Sequence, residues 1–524
     1  MKKYGFIVLF LVVLATPFAL RLAVTRGGGA GRVGGDAARL VVITPHNQDI
    51  RREFARAFSD WHARRYGVPM VIDYRIPGGT NDIRRQLEHT YRGFQRAGME
   101  PVADIHVAWG GGDYFFSVDL QPPGLQILQP MGLEPSLLAE VFPQPTLAGV
   151  KLYDQPKPGS DGKTAGPKWV GVCLSSFGIV YNAGVYAAAG LAPPTGWHDL
   201  THEKLSGMLA LADPTHSGSA AVAYLMVVQR RMADAEAEVL AREPRLAGIE
   251  RADRERDPSY RAAIAEGWRR GMGELQLIAA NARYFTDMAP QVPHDVGNGE
   301  AAAGMAIDFY GRVYEEIVGS DRCTYVAPAA ATAITPDPVA ILAGVRGESL
   351  ELSMRFVRFL LSPEGQLLWA KKPGTPGGPA ERSLRRPPVR RDVYSDQSDW
   401  ADNTNPFAEA GGFNQRAEWT TLLTDLRTVW AAAWVDAREA LVDANRAALR
   451  VEDPALRASL REQLAQVPLD MADVAALREE RKRREGSEAT SLETWKARQR
   501  IDIADRFRRH YHAVADRARE ARRR

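Results

Sequence analysis

The chain's 524 residues exceed the roughly 250–300 beyond which a single hydrophobic core stops growing, so two or more compact units are expected. With 45% hydrophobic, 25% charged and 8% aromatic residues the composition is that of a globular protein and excludes a disordered chain. A formal charge of +3, from 67 basic and 64 acidic side chains, leaves no overall electrostatic footprint for nucleic acid, and two cysteines are too few for a disulfide scaffold or a Cys-rich zinc site. The charge is uneven: Arg478 to Arg524 holds 16 Lys or Arg against 9 Asp or Glu, a net of +7 that leaves −4 for the rest.

Lys2 and Lys3 precede sixteen uncharged residues, Gly5 to Leu20, which end at Arg21. A charged start and a short apolar run read as an export signal. No Ala-x-Ala triplet follows, so an uncleaved membrane anchor stays open; residues 1–24 are assigned to one or the other, and the Gly-rich stretch 25–38 to a linker. The folded part is therefore placed in the periplasm, exported and either free or tethered to the inner membrane by residues 5–24. Such a compartment permits a Cys173–Cys323 bond, although the sequence does not establish that the two meet.

From Leu40 the signals alternate. Leu40–Thr44 is a β-branched strand, and Ile50, Phe54, Ala57, Phe58 and Trp61 then share a helix face. Met70–Ile76 repeats the strand, followed by the loop Pro77-Gly-Gly-Thr-Asn81 and a helix bearing Ile83, Leu87, Tyr91 and Phe94. A third strand, Ala103–Trp109, runs into Gly110-Gly-Gly-Asp-Tyr114. This order predicts βαβ units around a largely parallel sheet, with ligands bound beyond the strands' carboxyl ends. The pattern restarts at Lys168–Leu174 and continues, through a small-residue break, over Ser175 to Asn182. A charged helical stretch follows from about 220 to 281, and then strands near Glu300–Asp308 and Cys323–Pro328. Leu350–Leu361 is a helix; Ser362-Pro363 starts another, with Ser as cap and Pro at the first position. Trp419, Leu422, Leu423, Leu426, Trp430 and Trp434 form an apolar stripe best explained by packing, and the last 47 residues read as charged helix or a partly disordered tail.

Six segments in order resemble the extracellular (periplasmic) solute-binding proteins of ABC importers, in the branch that binds ferric iron, thiamine and polyamines. They are Tyr181-Asn182 with Pro193–Leu200, Asp213-Pro-Thr-His-Ser-Gly218, Asn281–Phe285, Val296–Gly304, Pro336-Asp-Pro-Val-Ala-Ile-Leu342, and Phe356–Gln366 with its Leu-Leu-Ser-Pro-Glu-Gly-Gln run. The resemblance implies an α/β, two-lobe type II periplasmic-binding-protein fold that closes by hinge bending over a ligand. Residues 39–174 and 329–420 would then form a discontinuous lobe I, and 175–328 lobe II. The hinge strands would be Ser175–Gly178 and Val326–Ala331. Beyond them, 421–524 would add C-terminal helices and the basic tail. The implied function is capture of a small ligand, ferric iron or a small organic cation, for delivery to an ABC permease, by a monomer with no enzymatic step and no cofactor of its own. A ligand receptor feeding a membrane sensor and an enzyme built on the same cleft are the alternatives; no Gly-x-Ser-x-Gly elbow, phosphate-binding Gly-rich loop or paired metal signature favours the latter.

The candidate ligand residues sit in the loops beyond the strands. His46 and Asn47 stand at a helix N-terminus, where free N–H groups favour an anionic or oxygen-rich ligand, with capping as the plainer role. Thr80 and Asn81 offer a similar cradle or a plain cap. Asp113 and Tyr114 follow three glycines that let backbone approach a ligand, and Ser175 and Ser176 lie at the predicted crossover. In Asp308-Phe309-Tyr310 the resemblance bears on metal: ferric-binding relatives place two adjacent tyrosines near here, and Phe309 replaces one. The candidate metal set is therefore reduced to His46, Asp308 and Tyr310, and an organic cation paired with Asp308 fits the same loss.

Overall fold

The computed structural model describes residues 38–155, 166–409, 413–485 and 489–523. The expected export segment, 1–24, lies outside the described residues, as does the linker except Ala38; among the described residues no helix is long and apolar enough to cross a membrane.

Strand β1 (Arg39–Ile43) leads to α1 (Gln48–Tyr66), β2 (Val71–Arg75) to α2 (Thr80–Ala97), and β3 (Val107–Trp109) to a π-turn, Phe115–Asp119. β1 pairs in parallel with both β2 and β3, as the βαβ order requires. A small hairpin, β4 (Thr146–Leu147) and β5 (Val150–Lys151), precedes β6 (Trp169–Ser175). The first sheet runs β2-β1-β3-β12-β6, with β12 (Thr335–Ile341) antiparallel to β3 and β6. Its core joins Leu40, Val42 and Ile43 to Phe54 and Phe58 of α1, Ile83 and Leu87 of α2, and Trp109. Two later helices, α6 (Gly347–Leu361) and α7 (Pro363–Ala370), add Phe356, Phe359 and Trp369 to this core. Ser362 caps α7 by accepting from the Gly365 N–H at 3.2 Å.

The second sheet runs β11-β7-β10-β8-β9. It comprises β7 (Phe177–Tyr181), β8 (Leu209–Ala212), β9 (Ala282–Thr286), β10 (Ala303–Ile307) and β11 (Thr324–Val326). β8 is parallel to β9 and β10, and β7 is antiparallel to β10 and β11. The long helices α3 (Gly218–Arg242) and α4 (Pro258–Ala280) pack along each other and bury Tyr224, Trp268 and Met272 in the core of this sheet. α5 (Asp308–Val318) follows β10 directly.

The break expected after Leu174 falls at Ser176, and the strands on either side of it belong to different sheets. One expectation is corrected. Neither sheet is largely parallel as a whole, because the strands entering from the crossings β6–β7 and β11–β12 run antiparallel to their neighbours. The result is the two-lobe type II architecture, with two α/β sheets joined by two crossings. Cys173 and Cys323 are both free, and each is buried in a different one of the two cores.

The C-terminal helices α8 (Leu423–Trp430), α9 (Arg438–Leu449), α10 (Pro454–Ala465), α11 (Met471–Arg484) and α12 (Ala489–Arg523) join the second core. Trp430 and Trp434 stack at 5.8 Å, and Tyr224 meets both edge-on, so the tryptophan stripe is packing. Over residues 489–523 the tail is helical. Its Ile503, Phe507, Tyr511, Val514 and Ala518 recur every three or four residues and are buried against the lobe.

Candidate ligand-binding cleft

A cavity of about 140 Å³ opens between the two sheets. Its wall is made of loops at helix starts: Pro45-His46 before α1, Gly78-Gly79-Thr80 at α2, Ser217-Gly218-Ser219 at α3, and Phe309-Tyr310 in the first turn of α5. The backbone N–H groups of a helix's first turn lack intrahelical backbone partners and the end carries about half a positive charge. Asn47, Asp82, Ser217 and Asp308 each engage one such N–H, at Ile50, Gly79, Ala220 and Phe309, and the remaining positive ends face the cavity.

The floor is a polar knot. The register of β12 against β6 shifts between Asp337 and Pro338, a bulge that re-aims a side chain. Asp337 Oδ2 accepts from His46 Nε2 at 2.9 Å and from Arg386 Nη1; Oδ1 accepts from the N–H groups of Gly111 and Gly112 at 2.7 and 3.1 Å. This approach requires glycine: at φ +87 a Cβ on Gly110 would stand 2.5 Å from the His46 ring, and at φ +121 one on Gly111 would stand 2.6 Å from Thr80 Cγ2. Arg386 also donates to Ser175 Oγ, and its guanidinium lies 4.3 Å from the Phe309 ring and 5.3 Å from that of Trp369. Pro387, next along the chain, accepts from Leu174 N–H at 2.8 Å and so fixes this arm beneath β6.

Burial opposes ionisation of Asp337, but Arg386 and His46 outweigh it and hold the carboxyl well below the usual range. Burial lowers the His46 pKa despite Asp337, so the ring is neutral near pH 7. Asp113, on the cavity wall, moves the other way: burial first, and then the neighbouring Asp337 charge, push it up to about 6 although the Tyr114 N–H partly stabilises its anion. Burial pushes the Tyr310 hydroxyl up to about 12.

Of the sequence candidates, His46, Thr80, Asp113, Tyr114, Ser175 and Tyr310 line the cavity. Asn47 caps α1, its Oδ1 accepting from Ile50 N–H at 3.1 Å. Asn81 donates to the Thr215 carbonyl and so joins the two lobes across the cleft mouth. Ser176 and Asp308 form the crossing itself: Asp308 Oδ2 accepts from Ser176 N–H at 2.8 Å and from its Oγ at 3.2 Å, while Asp308 N–H donates to Ser176 O at 2.9 Å.

The proposed metal set is not gathered. His46 Nε2 is directed to Asp337 and Asp308 to Ser176, burial disfavours the Tyr310 phenolate, and no group of three or more His, Cys, Asp or Glu among the described residues is placed to hold an ion.

Sequence reasoning missed Asp337, Arg386, Arg427 and the Ser217-Gly218 start of α3. Asp337 and Gly218 stood inside recognised motifs, Pro336-Asp-Pro and Asp213-Pro-Thr-His-Ser-Gly. A family motif at a strand or helix end was the available signal. Arg386 and Arg427 carried none.

Residues 139–397 match the family model described as bacterial extracellular solute-binding protein. Over 201 residues the chain is 23% identical to the phosphoglycerate transport regulatory protein PgtC of Salmonella typhimurium, covering 38% of this chain and 40% of that protein. The PgtC of Salmonella typhi matches to the same extent, so the chain spans about 40% of the length of these curated relatives. Among solved structures, the periplasmic binding protein AfuA from Actinobacillus pleuropneumoniae, with fructose-6-phosphate bound, aligns with a TM-score of 0.49 at 17% identity. That alignment covers 76% of this chain and 99% of AfuA. Iron-bound HitA from Pseudomonas aeruginosa aligns at 0.44 and 17%, covering 74% and 99%.

Proposed function

From the match of residues 139–397 to the bacterial extracellular solute-binding family model, we propose that the chain is an exported binding component that closes its two lobes on a small oxyanion and delivers it to an ABC permease. In this reading lobe I is 39–174 with 329–420, lobe II is 175–328, and residues 421–524 are an added helical unit. The mechanism is binding: the ligand stabilises the closed arrangement, and the permease reads closure.

The observation that carries the ligand class is the convergence of four helix starts on one cavity whose floor carboxylate, Asp337, is already neutralised by Arg386. An organic cation would face those helix ends with Asp337 paired to Arg386, Asp308 turned to the hinge, Asp287 beside His216, and Asp113 pushed by burial toward its neutral form. Ferric iron would lack a hard anionic set. A phosphoryl or carboxylate group instead finds N–H donors on several sides. PgtC, whose name concerns phosphoglycerate, is consistent with that class.

That name also describes a regulatory protein, and it favours a second reading in which the closed lobes signal to a membrane sensor. Both readings share the cleft. Thermal-shift measurements on the full chain with 3-phosphoglycerate, inorganic phosphate, Fe(III) and putrescine test the ligand class, because a ligand of the folded state raises the midpoint by mass action. A rise with the phosphorylated compounds supports the reading; a rise confined to Fe(III) or putrescine overturns it. Uptake reconstituted with an ABC permease then separates transport from sensing.

A further inference from the structure

We propose that α8 of the C-terminal unit forms a third wall of the cleft and that Arg427 on it is a ligand-binding residue for the anionic group. The inference rests on the oxyanion reading of the cleft and adds to it a side chain from outside the family-matched stretch.

α8 is fixed to lobe II on its apolar side. Leu423, Leu426, Val429 and Trp430 are buried in the second core, and Asp425 is clamped by Arg481 of α11 at 2.8 and 3.1 Å. From that base it reaches lobe I. Thr424 Oγ1 and Tyr114 OH are 2.6 Å apart, and Thr424 N–H donates to the same hydroxyl at 3.2 Å. Arg427 Nη1 donates to Asp119 Oδ2 at 3.2 Å, and its guanidinium lies 5.3 Å from the Tyr114 ring centre. The side chain is 14% exposed and lines the cavity.

Three features together direct this arginine's spare donors to the cavity. Its Nε is buried with no hydrogen-bond partner. Asp119 engages one of its donors, leaving capacity in a group that carries five. Its Nη2 points to the start of α3, 3.8 Å from where a Cβ on Gly218 would be. A cation held beside the positive end of a 25-residue helix is electrostatically unfavourable unless an anion stands between them. The cavity is where such an anion fits, receiving charge-assisted hydrogen bonds from Arg427 and the α3 N–H groups together. A planar guanidinium presents two parallel donors to a phosphoryl or carboxylate oxygen pair, which the lysine ammonium does not.

Isothermal titration of the full chain with 3-phosphoglycerate and inorganic phosphate tests this in wild type, Arg427→Gln, Arg427→Lys and Asp119→Asn. Arg427→Gln is expected to weaken binding 10- to 100-fold and Arg427→Lys to recover part of the loss. Asp119→Asn, which releases the guanidinium, is expected to leave affinity equal or raise it up to tenfold. Wild-type affinity in Arg427→Gln overturns the assignment while the oxyanion reading stands; no binding of either probe by wild type overturns both. Should Arg427→Gln fail to fold by circular dichroism, Asp119→Asn decides: affinity more than threefold below wild type means that the pair is a strut and the inference is wrong.

Discussion

The floor and the rim of the cleft are built on opposite principles. In the floor the charges are paired with one another: Asp337 receives four hydrogen bonds, and Arg386 is held by Asp337 and Ser175 beside two aromatic rings, with His46 Nδ1 and Arg386 Nε left without a partner. The rim, at Gly78–Thr80, Ser217–Ser219 and Arg427, presents helix N–H groups and a guanidinium with donors to spare. A charge-paired network specifies geometry, whereas an incomplete one specifies what is missing from it. The floor therefore sets how β3, β6, β12 and the 386 arm meet, and in the proposed function the rim is the part that selects the ligand.

The largest effect should come from breaking the floor. Asp337→Asn leaves Arg386 buried without its counter-charge, and losing one partner of such a pair costs about 3–5 kcal/mol. Urea unfolding of the full chain measures it. Asp337→Leu combined with Arg386→Met should cost less than Asp337→Asn alone, because no charge is then left unpaired; a double variant as unstable as the single one would show that the knot acts by more than charge.

Next comes a steric test of the rim. Gly79, at φ −75, is free of backbone strain, yet a Cβ there would meet the His216 carbonyl oxygen of lobe II at 2.8 Å. Gly79→Val should hold the lobes apart, lowering affinity for 3-phosphoglycerate on the order of tenfold or more with little change in the stability of either lobe. Small-angle scattering should show a larger radius of gyration with ligand than wild type gives. Equal radii would mean that closure does not pass through this contact.

The two cleft carboxylates give a third contrast, in pH. Asp113, raised to about 6 by burial, opposes folding while ionised, so its contribution improves as pH falls through 6 toward its ordinary value. Asp337, held well below the usual range by Arg386 and His46 against burial, contributes stability above the ordinary carboxylate value and loses it as pH falls below that. The charged or titratable groups lining the cavity besides these two are Arg386, Arg427, His46, His216, Asp287, Tyr114 and Tyr310. Neutral Asp113 can donate to an oxyanion, whereas its anion repels one. Sulfate, whose charge is constant from pH 5 to 8, should bind about tenfold more tightly at pH 5, and Asp113→Asn should flatten that profile. An unchanged slope in Asp113→Asn removes the residue from ligand binding.

How much of this was legible in sequence follows the same division. The glycine loops of the rim and of the floor's edge were found because such a segment after a strand marks itself: Gly78-Gly79-Thr80 and Gly110–Tyr114 were read from spacing alone. The parallel β1–β3 core followed from alternation, and the two-lobe plan from the ordered motifs. The floor was legible only in part: His46 and Ser175 were named, but their partners were not. Asp337 and Arg386 are 49 residues apart and lie 291 and 340 residues from His46, so only the crossing strand and the returning arm bring them together. Arg386, the second arginine of Ser-Leu-Arg-Arg-Pro, looks like surface charge. Ser176 and Asp308 misled for a related reason: residues at the hinge are polar because the crossing backbone needs partners, not because a ligand does. Arg427 was masked by its helix, whose tryptophan stripe announced packing and said nothing of the opposite face.

Asn81 marks the boundary between the two principles and carries the smallest expected effect. Its Nδ2 reaches the Thr215 carbonyl across the cleft mouth, and its Oδ1 accepts from Arg84, so it belongs to neither floor nor cavity. It acts only when the lobes are together. A net hydrogen bond is worth about 0.5–1.5 kcal/mol, so Asn81→Ala should weaken 3-phosphoglycerate binding about 2- to 10-fold by destabilising closure. The intrinsic stability of the open protein should be unchanged, and the loss should appear in the dissociation rate, since the bond forms after the ligand has entered. A slower association rate at constant dissociation would instead place Asn81 on the ligand's entry path, making it part of the rim.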